Sequence, residues 1–143
     1  MQKLKGGLTP QTFMQKKIII IEDEPQITEI YTFALTKAGF AVEIFKYGFQ
    51  AQKWLQGIIK GKTPKPDLVL LDLILPDING IEILEQARKN EKTKTIPFFI
   101  FTNYSNPELT ERAQKLKVEK HIVKTDFTPK ELAELIKEWF ERT

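Results

Sequence analysis

Residues 66–80 read Pro-Asp-Leu-Val-Leu-Leu-Asp-Leu-Ile-Leu-Pro-Asp-Ile-Asn-Gly, and this stretch decides the fold. The run from Leu68 to Leu71 is apolar throughout, which is typical of a strand buried on both faces. Asp72 follows at its carboxyl end, and Pro76 with Asn79-Gly80 predicts a turn before the next helix. An ionised carboxylate buried without a partner costs several kcal/mol, so we expect solvent, a cation or a hydrogen-bond donor next to Asp72.

The composition excludes several classes of protein. The 143 residues suffice for one domain with a buried core, and 22 basic against 19 acidic residues give a net charge of +3. This small, scattered charge does not predict nucleic-acid binding. The absence of cysteine excludes disulfides, thiol catalysis and thiolate metal sites. No apolar run approaches the roughly 20 residues of a membrane span, and the N-terminus lacks the apolar core of a secretion signal. We therefore expect a cytoplasmic protein without a membrane partner.

The chain divides into a short extension and one domain. Residues 1–16 show no sustained period and predict a flexible N-terminal extension. Residues 17–143 alternate strand and helix patterns five times without an internal repeat. The predicted strands are Lys17–Ile21, Ala41–Phe45, Leu68–Leu71, Pro97–Phe101 and Glu119–Val123. Apolar strands separated by helices are typical of a parallel sheet covered on both faces. We expect an α/β fold, a flavodoxin-like doubly wound sheet with strand order 2-1-3-4-5.

The helices are predicted from apolar spacing and from capping residues. The first begins at Pro25, and its apolar residues recur as one buried face requires: Ile27, Ile30, Tyr31, Ala34, Leu35 and Ala38. The fourth helix is expected to start near Pro107. Thr128-Pro129-Lys130-Glu131 is a capping signature for the fifth helix, whose apolar face includes Trp139.

Polar residues follow four of the predicted strands. Glu22 and Asp23 follow the first strand, Asp72 the third, Thr102 the fourth and Lys124 the fifth. Because the carboxyl ends of parallel strands share one edge, we expect these side chains to lie close together. Three crowded carboxylates without histidine or cysteine favour Mg²⁺ or Mn²⁺, and a hydroxyl with an ammonium favours a phosphoryl group.

This arrangement resembles the receiver domain of two-component response regulators, either as a single-domain regulator or as part of a longer one. The resemblance covers residues 17–142, and four motifs carry it: IIIIEDEP (18–25), DLVLLDLILPDING (67–80), FFIFT (98–102) and HIVK (121–124). It implies that Asp72 accepts a phosphoryl group from a sensor histidine kinase or phosphotransfer protein. Asp23 would bind Mg²⁺ directly, Glu22 would assist through water, and the backbone carbonyl of Ile74 would complete the protein ligands.

The resemblance also implies a switch. Thr102 and the backbone N–H of Asn103 would bind the phosphoryl oxygens, while Lys124 would pair first with the aspartate and then with the phosphate. In the family the threonine moves inward and an aromatic side chain follows it, which repacks the surface of helix 4, strand 5 and helix 5. His121 occupies that aromatic position, and its charge would add a pH dependence.

Two further positions depart from the family pattern. Thr125 follows Lys124 where the family usually has proline, commonly after a cis peptide bond, and a cis bond before threonine would cost about 2.5–4 kcal/mol. Asn103 stands where the family favours a small residue, and its side chain would narrow access to the acceptor or add a hydrogen-bond donor.

Ile74 and Tyr104 occupy positions that tune dephosphorylation in the family. An apolar and a bulky side chain there would hinder the water that attacks the phosphoryl group. These residues predict a long-lived phosphoryl state.

Three alternative functions are those of a pseudo-receiver, a phosphohydrolase and a flavin-binding protein. A pseudo-receiver, an interaction module that never takes phosphate, is left open by Asn103 and Thr125. A phosphohydrolase of the haloacid-dehalogenase type needs an acidic residue at the position of Ile74, which argues against that function. A flavin-binding protein needs a phosphate-binding loop where Glu22 and Asp23 stand, which excludes that function.

The expected activity is signalling rather than enzymatic turnover beyond self-phosphorylation and self-dephosphorylation. The expected partners are a kinase and a downstream protein, without direct contact to nucleic acid. A homodimer through the surface of helix 4, strand 5 and helix 5 is an arrangement that the sequence leaves open.

Overall fold

The computed structural model describes residues 15–103 and 106–143, and its centre is a five-stranded parallel sheet. The strands are β1 (Lys17–Ile21), β2 (Ala41–Phe45), β3 (Leu68–Leu71), β4 (Phe98–Thr102) and β5 (Lys120–Val123). Their order across the sheet is β2-β1-β3-β4-β5, so the predicted flavodoxin-like topology is confirmed. β1 and β3 are parallel neighbours, and the order in which strands are added to the sheet reverses between them, which places a crevice beside their carboxyl ends.

Five α-helices connect and follow the strands. They are α1 (Pro25–Lys37), α2 (Gly48–Ile59), α3 (Ile81–Arg88), α4 (Pro107–Lys115) and α5 (Pro129–Arg142). The predicted cap of α5 is present, because Thr128 Oγ1 accepts from the backbone N–H of Glu131 at 3.1 Å and the Glu131 carboxylate accepts from that of Thr128 at 2.8 Å. A short 3₁₀ turn, Lys124–Asp126, separates β5 from α5. Among the described residues, no helix is long and apolar enough to cross a membrane.

The hydrophobic core forms two layers, one on each face of the sheet. Alternate side chains of a strand point to opposite faces, so Ile19 and Ile21 pack with α2, α3 and α4, while Ile18 and Ile20 pack with α1 and α5. All four isoleucines are buried, as a central strand covered by helices on both sides requires.

Helix α1 departs from the prediction at Ile30, which is 48% exposed rather than buried. Tyr31 and Leu35 are the apolar residues of α1 that are fully buried against the sheet. Successive helical residues are about 100° apart around the axis, so Ile30 lies at the margin of the apolar stripe centred on Tyr31. Trp139 and Phe140 near the end of α5 are half-buried and pack against the same core layer.

Candidate functional site

The structure brings the predicted polar residues to the carboxyl edge of the sheet. Glu22, Asp23 and Asp72 each place a carboxylate oxygen so that the three oxygens lie within 4.8 Å of one another. Glu22 and Asp72 are buried and Asp23 is half-buried. The three residues come from the ends of β1 and β3, which are paired neighbours in the sheet. A doubly wound sheet therefore creates this acidic cluster from positions about fifty residues apart in the chain.

Lys124 is the buried cation of this site. Its Nζ donates to Asp72 Oδ2 at 3.1 Å and also to Glu22 Oε1, and it lies 5.2 Å from the centre of the Phe101 ring. A buried ammonium is tolerated only when it is paired and hydrogen-bonded, and these two carboxylates meet that requirement. Lys124 thereby connects the end of β5 to the ends of β1 and β3.

The electrostatics of the cluster leave an excess of negative charge. Burial raises the pKa of Glu22 from 4.5 to about 7, although Lys124 and the backbone N–H of Glu24 act in the opposite direction. Burial disfavours the charged form of Lys124 and so lowers its pKa. The hydrogen bond to Glu22 and the negative charge of Asp72 outweigh this effect, and the pKa of Lys124 is raised. Lys124 is therefore charged at neutral pH. One ammonium does not balance three carboxylates, and oxygen ligands with a net negative charge fit a hard divalent cation such as Mg²⁺ or Mn²⁺.

The loop after β3 fixes the orientation of Asp72. Asp72 Oδ1 accepts from the backbone N–H of Ile74 at 2.9 Å, so each carboxylate oxygen has a donor. The backbone N–H of Gly80 donates to the carbonyl of Leu73 at 2.8 Å and closes the loop. A Cβ on Gly80 would lie 2.3 Å from the carbonyl oxygen of Asp72, so only glycine allows this approach.

Thr102 and His121 both line a small cleft next to the loop that follows Asp72. Thr102 is buried at the end of β4, and the other side chains that line the cleft are Leu73, Ile74, Asn106, Leu109 and Thr110. His121 on β5 is half-buried, and neither ring nitrogen has a hydrogen-bond partner within residues 15–103 and 106–143. Burial lowers the pKa of the imidazole, so the uncharged ring is favoured.

Of the three predicted tuning residues, Ile74 and Asn103 are described, and both are exposed in loops that follow strands of the sheet. The side chain of Ile74 is 54% exposed. Asn103 is exposed, and its amide nitrogen donates to Glu24 Oε1 at 3.5 Å, which links the loops that follow β4 and β1. Tyr104 lies outside the described residues. The Lys124–Thr125 bond is trans, as are the other peptide bonds of the described chain.

Asp77 has a role that the sequence analysis did not find. Its two carboxylate oxygens accept from the backbone N–H groups of Gly48 at 2.8 Å and Phe49 at 2.9 Å. Desolvation raises the pKa of Asp77, but these backbone donors together lower it below its usual value. Asp77 thus caps α2 from the loop after β3 and holds the loops after β2 and β3 together. Because the cap comes from a distant loop, no local spacing reveals it.

Comparison with known proteins agrees with this geometry. A family model described as response regulator receiver domain matches residues 18–137. The phosphate regulon transcriptional regulatory protein PhoB of Escherichia coli K12 is 31% identical over 124 residues, which cover 87% of this chain and 51% of PhoB. The chain therefore spans about half the length of this curated relative.

Two solved structures share the fold. The phosphorylated cyanobacterial phytochrome response regulator RcpA has a TM-score of 0.75 and 26% identity, over 89% of this chain and 92% of RcpA. The Mn²⁺-bound form of the response regulator Rcp1 has a TM-score of 0.73 and 26% identity, over 86% of this chain and 90% of Rcp1. Since the family model spans most of the sequence and the topology agrees, this chain belongs to the family of response regulator receiver domains.

Proposed function

We propose that this receiver domain accepts a phosphoryl group on Asp72 from a sensor histidine kinase or phosphotransfer protein and transmits the change to a partner protein. The observation that carries the proposal is that the Asp72 carboxylate lies beside those of Glu22 and Asp23 and accepts a hydrogen bond from the buried ammonium of Lys124. Two related structures, of a phosphorylated response regulator and of a Mn²⁺-bound one, support it by analogy. We place the reaction in the cytoplasm.

The proposed metal site uses the acidic cluster. Asp23 and Asp72 contribute carboxylate oxygens, Glu22 acts through water, and Ile74 contributes its backbone carbonyl. A bound Mg²⁺ or Mn²⁺ would neutralise charge on the acceptor and on the phosphoryl oxygens. Both carboxylate oxygens of Glu22 already accept hydrogen bonds, from Lys124 Nζ and from the backbone N–H of Glu24, which fits an indirect role toward the metal.

In the transfer step, a carboxylate oxygen of Asp72 attacks phosphorus and forms a P–O bond as the donor's P–N bond breaks. The leaving nitrogen keeps the bonding electron pair. Lys124 and the backbone N–H of Ile74 hold the Asp72 carboxylate in a fixed orientation, which lowers the entropic part of the barrier. After transfer, Lys124, the Thr102 hydroxyl and the backbone N–H of Asn103 would hydrogen-bond the phosphoryl oxygens.

The proposed output is a shift between two packings of α4, β5 and α5. Thr102 would move toward the phosphoryl group, and His121 would follow into the cleft that both side chains line. A downstream protein would then bind the changed surface of these three elements, without direct contact between this domain and nucleic acid. The domain performs no further enzymatic reaction in this proposal.

The first prediction concerns phosphorylation of the full chain by acetyl phosphate or phosphoramidate with Mg²⁺. Intact mass should increase by one phosphoryl group, and a chelator or Asp72→Ala should abolish the increase. Asp126→Ala, which removes an exposed carboxylate of the 3₁₀ turn, is the matched control and should still be modified. If the folded wild type gains no mass from these donors or from a phosphorylated histidine kinase, the chain acts as a pseudo-receiver.

The second prediction concerns the lifetime of the phosphoryl group. The side chain of Ile74 is exposed two residues after the acceptor, where it would hinder an attacking water, so the protein should lose phosphate more slowly than acetyl phosphate hydrolyses. Ile74→Ala should accelerate the loss by roughly fivefold, equivalent to about 1 kcal/mol in the barrier. Ile30→Ala, which truncates a similarly exposed isoleucine on α1, should leave the rate unchanged. Equal rates for wild type and Ile74→Ala would refute the shielding role.

The third prediction concerns the pH dependence of stability in metal-free protein. Burial lowers the pKa of His121 in the folded state, whereas the unfolded chain binds a proton near pH 6.5. This contribution to stability is therefore present above pH 6.5 and is lost as pH falls through the lower folded value. His121→Phe removes it, so urea unfolding should show a larger loss of stability for wild type than for the variant between pH 7.5 and pH 5.5. Equal losses would contradict a buried neutral imidazole.

A further inference from the structure

The segment from Ile44 to Pro66, which contains all of α2, has no acidic residue. The excess of basic over acidic residues in the whole chain, 22 against 19, therefore comes from the lysines of this segment. Each lysine side chain is exposed, and none is in an ion pair within residues 15–103 and 106–143. They are Lys46, Lys53, Lys60, Lys62 and Lys65. Unpaired charges of one sign on one part of a surface attract a partner of the opposite charge.

Two of these lysines share one face of α2 with an exposed aromatic residue. Phe49, Lys53 and Lys60 are separated by four and by seven residues, spacings that return to the same side of an α-helix. The Phe49 side chain is 57% exposed, and its ring stacks on that of Tyr47 with the centroids 5.7 Å apart. Since α2 has 12 residues, this face is about 18 Å long.

A groove of about 530 Å³ lies next to this face of α2. Phe45 on β2 and Phe49 and Trp54 on α2 form its aromatic walls, and the rings of Phe45 and Trp54 are 5.6 Å apart. β2 has a neighbouring strand on one side only, so the groove lies at the edge of the sheet. An apolar groove of this size accommodates a large aromatic or aliphatic side chain.

The start of α2, where Phe49 lies, is held in place by the loop after β3. The carboxylate of Asp77 accepts from the backbone N–H groups of Gly48 and Phe49, and that loop packs so closely on Gly48 that a side chain there would meet Ile78. A contact residue that is fixed before binding loses less conformational entropy when a partner arrives. Phe49 is therefore suited to anchor a partner.

We propose that the basic face of α2 and the adjacent groove bind an acidic segment of a partner protein. Carboxylates of the segment pair with Lys53 and Lys60, and one aromatic or aliphatic side chain of the segment enters the groove against Phe49 and Trp54. Complementary charge selects the partner, and the buried apolar contact supplies most of the affinity. This surface includes no residue of α4, β5 or α5, so it is separate from the output surface of the proposed function.

The groove favours a protein segment over a nucleic acid or a membrane. Lys53 and Glu43 both line it, so its interior carries no excess of positive charge and suits an apolar side chain better than a phosphate. Single-stranded nucleic acids stack their bases on open aromatic faces, whereas Tyr47 and Phe49 stack on each other. A helix that lies on a membrane needs a continuous apolar face, and α2 exposes lysines along its length.

The test is fluorescence anisotropy of a labelled peptide mixed with the full chain, without a phosphoryl donor, at about 50 mM salt. The peptide has about ten residues, glutamate and aspartate around a central phenylalanine, which spans the face in an extended conformation. Lys53→Glu and Phe49→Ser should each weaken binding at least about fivefold, because they remove an ion-pair partner and the apolar anchor. A peptide with serine at its centre should bind wild type at least about fivefold more weakly, and should lose little further affinity with Phe49→Ser.

Two controls change similar residues elsewhere on the surface. Lys92→Glu alters the net charge of the protein as Lys53→Glu does, at an exposed lysine of the loop after α3. Phe33→Ser removes an exposed aromatic side chain from α1. Both variants should bind the peptide within about twofold of wild type, since charge at a distance is screened at this salt concentration.

A non-additive loss between the serine peptide and Phe49→Ser, with full binding by both controls, would establish the groove as the anchor site. The proposal would be overturned if wild type bound no peptide, if Lys92→Glu weakened binding as much as Lys53→Glu, or if Phe49→Ser had no effect. Binding of oligothymidylate or of phosphatidylserine vesicles that is lost in Lys53→Glu, without binding of the peptide, would also overturn it and assign the face to nucleic acid or membrane. Because no phosphoryl donor is present, these outcomes do not depend on the function proposed for Asp72.

Discussion

The ammonium of Lys124, buried between the carboxylates of Glu22 and Asp72, is the interaction on which the candidate site depends. Removing these charges from water is costly, and the cost is offset only because each carboxylate has a second donor. Glu22 Oε2 accepts from the backbone N–H of Glu24, and Asp72 Oδ1 accepts from that of Ile74. The ends of β1, β3 and β5 are therefore linked by one buried network. In the proposed function, a change in the charge at Asp72 would act on Lys124, the first residue of the 3₁₀ turn that follows β5.

The loops around this network are positioned by backbone contacts rather than by their own packing. Gly80 lies directly against the backbone of Asp72, where no side chain fits, and Asp77 holds the start of α2 through two backbone N–H groups. The acceptor loop is thus connected on one side to α3 and on the other to α2. Such rigid support holds the Asp72 carboxylate in one orientation, while Thr102 and His121 line the small cleft beside the acceptor loop.

Much of the fold and of the arrangement of the site could be predicted from sequence, because both follow from patterns along the chain. The apolar runs at Ile18 to Ile21 and Leu68 to Leu71 define central strands, and parallel topology then brings the polar residues after them to one edge. Contacts between distant segments could not be predicted. The capping role of Asp77 depends on the loop after β2, and the exposure of Ile30 depends on how closely α5 approaches α1.

The central claim is that Asp72, and no other carboxylate of the acidic cluster, receives the phosphoryl group. Borohydride reduces an aspartyl phosphate to homoserine, and peptide mass spectrometry then identifies the position that carried it. After incubation of the full chain with acetyl phosphate and Mg²⁺, the account predicts homoserine at position 72 alone. Homoserine at position 23 or 77, or phosphate retained on the chain without any reducible aspartyl phosphate, would contradict it.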